Sequence, residues 1–270
     1  MMEDATKYDI TLSVVLYRDY ETPMGMVESL VRESDPSLSW HLYAVDNSAL
    51  AEGDSLAPAR DAFEAFLSET GAAEYVDAGC NLGFGRANNL ALERADSAYH
   101  VFVNPDVLFV EDALSKLKAF MDSNPDVGMC CPRLVDEEGN LQYTCRRGIT
   151  VLDAFNRMIL KNRMVGRDRW HAMKDKDYSH SFDVPFAQGS FLMGRTTLLK
   201  KLGGFDDDFF MYLEDADLCR RVNEASRLLY CPDATAVHKW EKASHKDGRL
   251  LRIHMQSYMT YFRKWGLKLA

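Results

Sequence analysis

Tyr99-His100-Val101-Phe102-Val103-Asn104-Pro105-Asp106 leads, through Val110, Leu114, Leu117 and Met121, to Asn124-Pro125 and then to Val127-Gly128-Met129-Cys130-Cys131. The first five residues are apolar, β-branched or aromatic and read as a strand. Proline cannot continue a central ladder, so that strand stops at Asn104-Pro105-Asp106. The apolar residues that follow recur at helical spacing, and Asn124-Pro125 ends the helix. Val127 to Cys131 is a second strand. The stretch is therefore strand, helix, strand.

The same alternation runs back to the N-terminus. Tyr8 to Tyr17 reads as a strand, Pro23 to Arg32 as a helix, and Trp40 to Val45 as a strand. Leu56 to Leu67 is helical, with Phe63, Phe66 and Leu67 on one side; Tyr75-Val76 is a short strand, and Phe84 to Ala95 is helical. Strands alternating with helices of about 10–15 residues predict βαβ units, hence an α/β fold with a mostly parallel sheet. Three polar or glycine-bearing segments each follow a strand: Asp46-Asn47-Ser48, Asn81 to Arg86, and Asn104 to Asp106. Open α/β sheets bind ligands at the carboxyl ends of their strands, so the chemistry is expected on one sheet edge. The second half is less regular. Residues 148–180 carry helical apolar spacing (Leu152, Phe155, Met158, Ile159) and then charges, as in a lid or a substrate loop. Ser190 to Gly194 reads as a short strand and Arg249 to Trp265 as a basic amphipathic helix. No repeat or low-complexity linker divides the chain, which predicts a single domain over 1–270.

Composition narrows the classes. With 270 residues, 47% hydrophobic and 27% charged, the chain is neither disordered nor fibrous. No apolar run approaches the roughly 20 residues a spanning helix needs. Met1-Met2-Glu3-Asp4 is acidic and has no apolar core, so it is no secretory signal, and a cytoplasmic location is expected. Six cysteines are scattered without a CxxC pair, which predicts reduced thiols and no zinc. The net charge of −9 argues against nucleic acid as a main partner. Two segments run the other way. Residues 146–176 hold nine Lys/Arg against three Asp/Glu, and residues 239–270 hold eight against two. Such segments suit a phosphate-bearing substrate, an anionic membrane, or merely solvated helix faces.

Gly203-Gly204-Phe205-Asp206 precedes the aromatic run Phe209-Phe210-Met211-Tyr212-Leu213, which stops on Glu214-Asp215-Ala216-Asp217-Leu218-Cys219-Arg220-Arg221. On a helix Asp215 shares a face with Leu218 and Cys219, so it points toward the protein body. It lies in the first turn, where the helix dipole favours an ionised carboxylate. That suits a general base, although acids at a helix start are also common. Asp106 at the sheet edge could bridge a divalent cation to a diphosphate, or simply complete a turn. In Asn81-Leu82-Gly83-Phe84-Gly85-Arg86-Ala87-Asn88-Asn89 the glycines allow close backbone approach and Arg86 could pair with phosphate. The spacing is not that of a P-loop, and a plain glycine turn is the alternative. Asp46 could accept from a base or ribose hydroxyl, or form an Asx turn. His238, in Val237-His238-Lys239-Trp240, is a candidate metal ligand beside Asp106, though a lone histidine is more often structural. Gln188, Gly189 and Ser190 could line an acceptor cleft.

Taken together and in this order, these segments, with Thr11 to Tyr17 at the start, resemble the inverting nucleotide-sugar glycosyltransferases of family 2, which have the GT-A fold. The resemblance is closest to the bacterial rhamnosyltransferase-like branch and runs from about Asp9 to about Gly266. It implies a nucleotide-sugar half over about 1–135 and an acceptor and catalytic half over about 136–270. It implies donor contacts from Tyr17, Asp46, Asn81, Gly83, Arg86, Asn104 and Asp106. Asp215 would be the base, with Glu214 its understudy. Asp106 would bind Mn2+ or Mg2+, and His238 could add a ligand. Asn104 stands where many relatives have the first aspartate of the DxD motif, so one carboxylate is missing. The branch implies a dTDP-rhamnose donor first and a UDP-hexose next, with a growing, lipid-carried surface glycan as acceptor. A nucleotidyltransferase would need a glycine-rich basic loop after the first strand, and Leu16-Tyr17-Arg18-Asp19-Tyr20 has no glycine. A non-catalytic homologue that only binds nucleotide or glycan is the other alternative. Tyr258, Tyr261, Phe262 and Trp265 give the last helix either a peripheral membrane contact or a core-packing role.

Overall fold

The computed structural model describes residues 6–160, 163–239 and 248–270. Met1 to Asp4, read above for a secretory signal, and Trp240 lie outside the described residues. The first half alternates as expected: β1 (Tyr8–Leu16), α1 (Glu21–Glu33), β2 (Trp40–Asp46), α2 (Ala57–Thr70), β3 (Ala73–Asp77), α3 (Phe84–Arg94) and β4 (Ser97–Val103). β3, β2, β1 and β4 pair in parallel in that order. Then come β5 (Val107–Phe109), α4 (Ala113–Ser123), β6 (Val127–Val135), β7 (Cys145–Arg146), α5 (Val151–Met158), α6 (Val165–His171), β8 (Phe182–Asp183) and β9 (Phe186–Ala187). The chain closes with β10 (Phe191–Arg195), α7 (Thr196–Lys201), α8 (Glu214–Ala225), β11 (Arg227–His238) and α9 (Gly248–Trp265).

The sheet order is β3-β2-β1-β4-β10-β6-β11-β5, with β8 on β11. β10 wedges antiparallel between β4 and β6, so the strands of the opening βαβ unit are not neighbours. This matters for the site. An antiparallel partner starts where β4 ends: Phe191 lies opposite Val103, and the Asn104 N–H donates to the Ser190 carbonyl at 2.9 Å.

Alternate residues of the strands face opposite cores. Ile10, Leu12, Val14 and Leu16 of β1 pack with Met26, Leu30, Phe63, Leu114 and Leu117 from α1, α2 and α4. On the other face Phe102, Met129 and Leu192 meet Phe205, Leu218, Val222, Tyr258 and Tyr261. Burial on both faces explains why the strands read as near-continuous apolar runs.

Three elements depart from the expected pattern. β5 is a three-residue strand where Val110 suggests a helix already begun; α4 starts only at Ala113, with the Asp112 carboxylate capping the Ser115 N–H at 3.1 Å. β11 is hidden in sequence because Pro232-Asp233 interrupts it. The register shifts between Cys231 and Thr235, and such a bulge is where a strand tolerates proline. In α9, Tyr258 and Tyr261 are buried, while Phe262 and Trp265 pack against the same core. Core packing therefore accounts for those four aromatics. The six cysteines are free thiols, all buried except Cys80. No helix among the described residues is long and apolar enough to cross a membrane.

Candidate active site

The carboxyl ends of β4 and β11 meet at one edge. Val107, just past Asp106, lies opposite His238, and the Lys239 N–H donates to the Asp106 carbonyl at 3.0 Å. These backbone bonds bring the Asp106 Oδ2 to 3.5 Å from the His238 Nε2. The other ring nitrogen, Nδ1, is 2.8 Å from the Gln142 Oε1, and the Gln142 Nε2 donates to the His238 carbonyl at 2.7 Å. That two-point clip makes Nδ1 an N–H donor and turns Nε2 toward Asp106. A carboxylate oxygen and an imidazole nitrogen would suit Mn2+ or Mg2+, with phosphate and water supplying further ligands. No group of three or more His, Cys, Asp or Glu side chains suited to a metal occurs among the described residues.

Asn104 links this pair to the acid cluster. Its N–H meets the carbonyl of Ser190, and the neighbouring Gly189 N–H donates to the Asp215 Oδ2 at 2.9 Å. A Cβ on Gly189 would come within 3.2 Å of the Asp215 Cβ, so glycine allows the close approach. Gln188 turns elsewhere, and its Oε1 receives Arg146 at 3.4 Å.

The loop before α8 is strained. Tyr212 (φ +73°) and Leu213 (φ +65°) are consecutive left-handed residues that are not glycine, a conformation costing roughly 1–2 kcal/mol per residue. Contacts from three sides hold them there. The Phe84 N–H donates to the Phe210 carbonyl at 3.1 Å, and the Ser257 hydroxyl to the Met211 carbonyl at 2.7 Å. The Tyr212 ring stacks on His254, with centroids 4.4 Å apart.

The three acids that follow then part ways. Asp217 is fully enclosed, held by Arg221 (2.7 Å), Lys264 (2.7 Å) and the Trp265 indole N–H (2.8 Å). It ties α9 to α8 and is a structural ion cluster, and losing either cation would leave a buried carboxylate short of a partner. Glu214 turns toward Gly85, is buried, and its Oε2 has no hydrogen-bond partner among the described residues. Burial and then the Asp215 charge push its pKa up to about 8. Asp215 faces the edge. Its carboxylate accepts the Gly189 and Ala216 N–H groups, which favour ionisation, yet burial outweighs them and raises its pKa. The helix-dipole expectation of a favoured ionised carboxylate is outweighed here by desolvation.

Glu214 therefore carries a linkage signature. The folded chain keeps a proton that the unfolded chain releases between the ordinary glutamate value of 4.5 and about 8. Its stability falls as pH rises through that window and levels off above it. Glu214→Gln is expected to remove the fall and to stabilise the protein at neutral pH by roughly a few kcal/mol. Denaturant titrations at a series of pH values check this. An unchanged profile in the variant would mean that Glu214 is not held as a neutral acid.

The remaining predicted donor-side residues spread along the other strand ends. Tyr17 follows β1 and is exposed. The Asp46 carboxylate receives the Tyr20 and Tyr75 hydroxyls at 2.7 and 2.6 Å and the Ser48 N–H at 2.8 Å, so an Asx turn and two tyrosines occupy it. Asn81 accepts from its own loop, at Gly83 N–H, and from Asn47. Gly83 has φ +84°, and a Cβ there would lie 2.0 Å from the Phe210 carbonyl oxygen. The Arg86 guanidinium does not reach the Asp106–His238 pair; it grips the Asp207 carbonyl at 2.6 and 3.1 Å. It lines a cleft of about 730 Å3 with Asn89, Lys200, Phe205 and Asp206.

Sequence reasoning misses Gln142, Asn47 and the Tyr212-Leu213 pair. Gln142 sits 96 residues from His238, and no local pattern marks it. Asn47 accepts from the Leu82 N–H and donates to the Gly83 carbonyl, fixing the glycine loop. Its place in Asp46-Asn47-Ser48 is the one available signal.

A family model described as Glycosyl transferase family 2 matches residues 16–203. The chain is 30% identical to rhamnosyltransferase WbbL of Escherichia coli over 204 residues, 71% of this chain and 74% of that one. It is 26% identical to the N-acetylglucosaminyl-diphospho-decaprenol L-rhamnosyltransferase of Mycobacterium tuberculosis, across 67% of this chain and 62% of that one. Among solved structures it is similar to GalNAc-T7 with UDP, GalNAc and Mn2+ (TM-score 0.70, 12% identity), covering 96% of this chain and 49% of that one. It is also similar to a mannosyltransferase from Pyrobaculum calidifontis in complex with GDP-Man and Mn2+ (TM-score 0.65, 18% identity), covering 97% of this chain and 68% of that one. These two likenesses establish the GT-A fold.

Proposed function

Because the chain belongs to glycosyl transferase family 2, we propose that its acidic edge moves a sugar, with L-rhamnose from a dTDP donor the favoured case and a UDP-hexose the next. The acceptor is a hydroxyl of a growing glycan on a lipid carrier, in keeping with the names of its rhamnosyltransferase relatives, and a peripheral contact with the membrane holding that carrier belongs to the same reading. Residues 1–135 hold the nucleotide sugar and residues 136–270 the acceptor and the base. The observation that carries the proposal is the short backbone bridge from Asp106, through Asn104 and Ser190, to the Gly189 N–H on Asp215. It sets a candidate base beside a candidate cation pair.

Asp215 takes the proton of the acceptor hydroxyl. The oxygen attacks the anomeric carbon, the bond to the diphosphate breaks, and the nucleoside diphosphate leaves from the opposite face with inversion. Gly189 aims the carboxylate, and burial raises its basicity. Glu214, holding its proton at neutral pH, adds no second negative charge. Asp106 and His238 would hold Mn2+ or Mg2+, which supplies charge neutralisation to the departing diphosphate. Arg86, engaged with Asp207, braces the Gly203–Leu213 loop.

Calorimetry with dTDP, UDP and GDP, with and without Mn2+, tests this. Metal-dependent binding of one nucleotide is expected. Binding of none of the three would sink the transferase reading and leave the non-catalytic homologue.

A further inference from the structure

α9 is apolar on two faces. Tyr258, Tyr261, Phe262 and Trp265 face the core, while Leu251, Met255 and Met259 follow one another at intervals of four on the outside, 57%, 46% and 60% exposed. α5 repeats the arrangement: Ala154 and Met158 pack inward, Phe155 and Ile159 outward. The two helices are neighbours. The N–H groups of Val151 and Leu152 donate to the carbonyls of Lys268 and Leu269 at 2.9 and 3.1 Å, and the inner residues of both helices join one core cluster. Ten of the fourteen exposed large apolar side chains among the described residues fall within 155–170 and 251–269. Single exposed apolar residues are ordinary, but a concentration of them marks a contact surface.

The charge around this surface identifies its partner. The chain carries −9 overall, yet both segments are strongly basic. Arg157, Arg163 and Arg169 on one side and Arg252, Arg263 and Lys268 on the other are exposed. An apolar strip rimmed by cations fits the boundary of headgroups and acyl chains in an anionic leaflet. A second copy would set the same basic rim against this one, and like charges repel. The surface also adjoins the candidate site, since α9 supplies the Ser257 and His254 contacts to the loop that ends at Glu214-Asp215.

We propose that Leu251, Met255 and Met259, with Phe155 and Ile159, dock the protein on an anionic bilayer leaflet, which deepens the lipid-linked acceptor reading and rests on it. The test is co-sedimentation of the full chain with vesicles of phosphatidylcholine alone or mixed with phosphatidylglycerol. Binding is expected only to the mixed vesicles, weakening with salt. In the combined variant Ile159→Ser, Met255→Ser, Met259→Ser the partition should drop by an order of magnitude or more, roughly, whereas Val31→Ser, an exposed apolar residue elsewhere, should bind like the unaltered chain. Absence of vesicle binding, or undiminished binding by the combined variant, overturns the proposal. A dimer in solution that the combined variant dissolves would overturn it in favour of a second copy. Nucleotide calorimetry on the same preparations shows that the variant is folded. It also separates the two readings, because loss of nucleotide binding in the unaltered chain fails the transferase assignment without touching the vesicle result.

Discussion

Asp215→Asn should lower sugar transfer by about 10²- to 10⁴-fold, the usual contribution of a positioned general base, and leave nucleotide affinity unchanged. Asparagine keeps the shape of the side chain and one oxygen for the Gly189 or Ala216 N–H, both of which the aspartate receives. It cannot take a proton. A KM-against-kcat comparison isolates the chemical loss: kcat should collapse while donor KM holds, and Asp215→Glu, which keeps two acceptor oxygens, should retain more activity than Asp215→Asn. The unaltered enzyme adds a second readout. Burial raises the Asp215 pKa, so activity on the acid side should fall away above the ordinary carboxylate range, because protonated Asp215 cannot accept from the acceptor hydroxyl. If Asp215→Asn turns over normally, the base is Glu214, and Glu214→Gln rather than Asp215→Asn would then be inactive.

The parts of this fold legible in sequence are those governed by local periodicity. β1 to β4 are short apolar runs, the helices between them repeat at 3.6 residues, and turn residues mark where each strand ends. The carboxyl edge could be located because Asp46, Asn81 and Asn104 each follow such a strand. What escaped depends on distant partners. β11 reads as broken because its proline sits in a bulge, and nothing near Arg227 announces that β6 lies alongside. β10 enters the middle of the sheet from the second half of the chain, so Gly189 beside Asp215 could not be read from spacing. Helical phase singles out Asp215 among the three acids of α8, but what surrounds each is not legible in sequence. Tertiary surroundings divide them: cations for Asp217, burial for Glu214, backbone N–H groups for Asp215. Arg86 shows the converse, since a cation at a glycine-rich helix start suits phosphate, yet the Asp207 carbonyl takes it.

Asp106→Ala should abolish the metal-dependent part of nucleotide binding and leave any metal-free binding as it was. Under this reading the cation would have two protein donors at this edge, the Asp106 Oδ2 and the His238 Nε2, which lie 3.5 Å apart. With Asn104 in place of a second carboxylate, removing either donor takes half of the set. Gln142 makes the prediction sharper. Its carbonyl oxygen at 2.8 Å commits the His238 Nδ1 to donating, and its amide donates to the His238 carbonyl at 2.7 Å. His238 Nε2 is thereby turned toward the Asp106 carboxylate, and a divalent ion bound here would draw one donor atom from each residue. Gln142→Leu, which keeps the bulk and loses the clip, should weaken Mn2+ by about 10–100-fold, the usual worth of a hydrogen bond that orients a metal-binding histidine. Asp106→Ala should weaken it further. Paramagnetic resonance of Mn2+ titrated into the protein with nucleoside diphosphate reads both effects without turnover. Unchanged Mn2+ affinity in Asp106→Ala would remove the cation from this edge. Unchanged affinity in Gln142→Leu alone would keep the ion there but show that His238 does not bind it through a fixed Nε2.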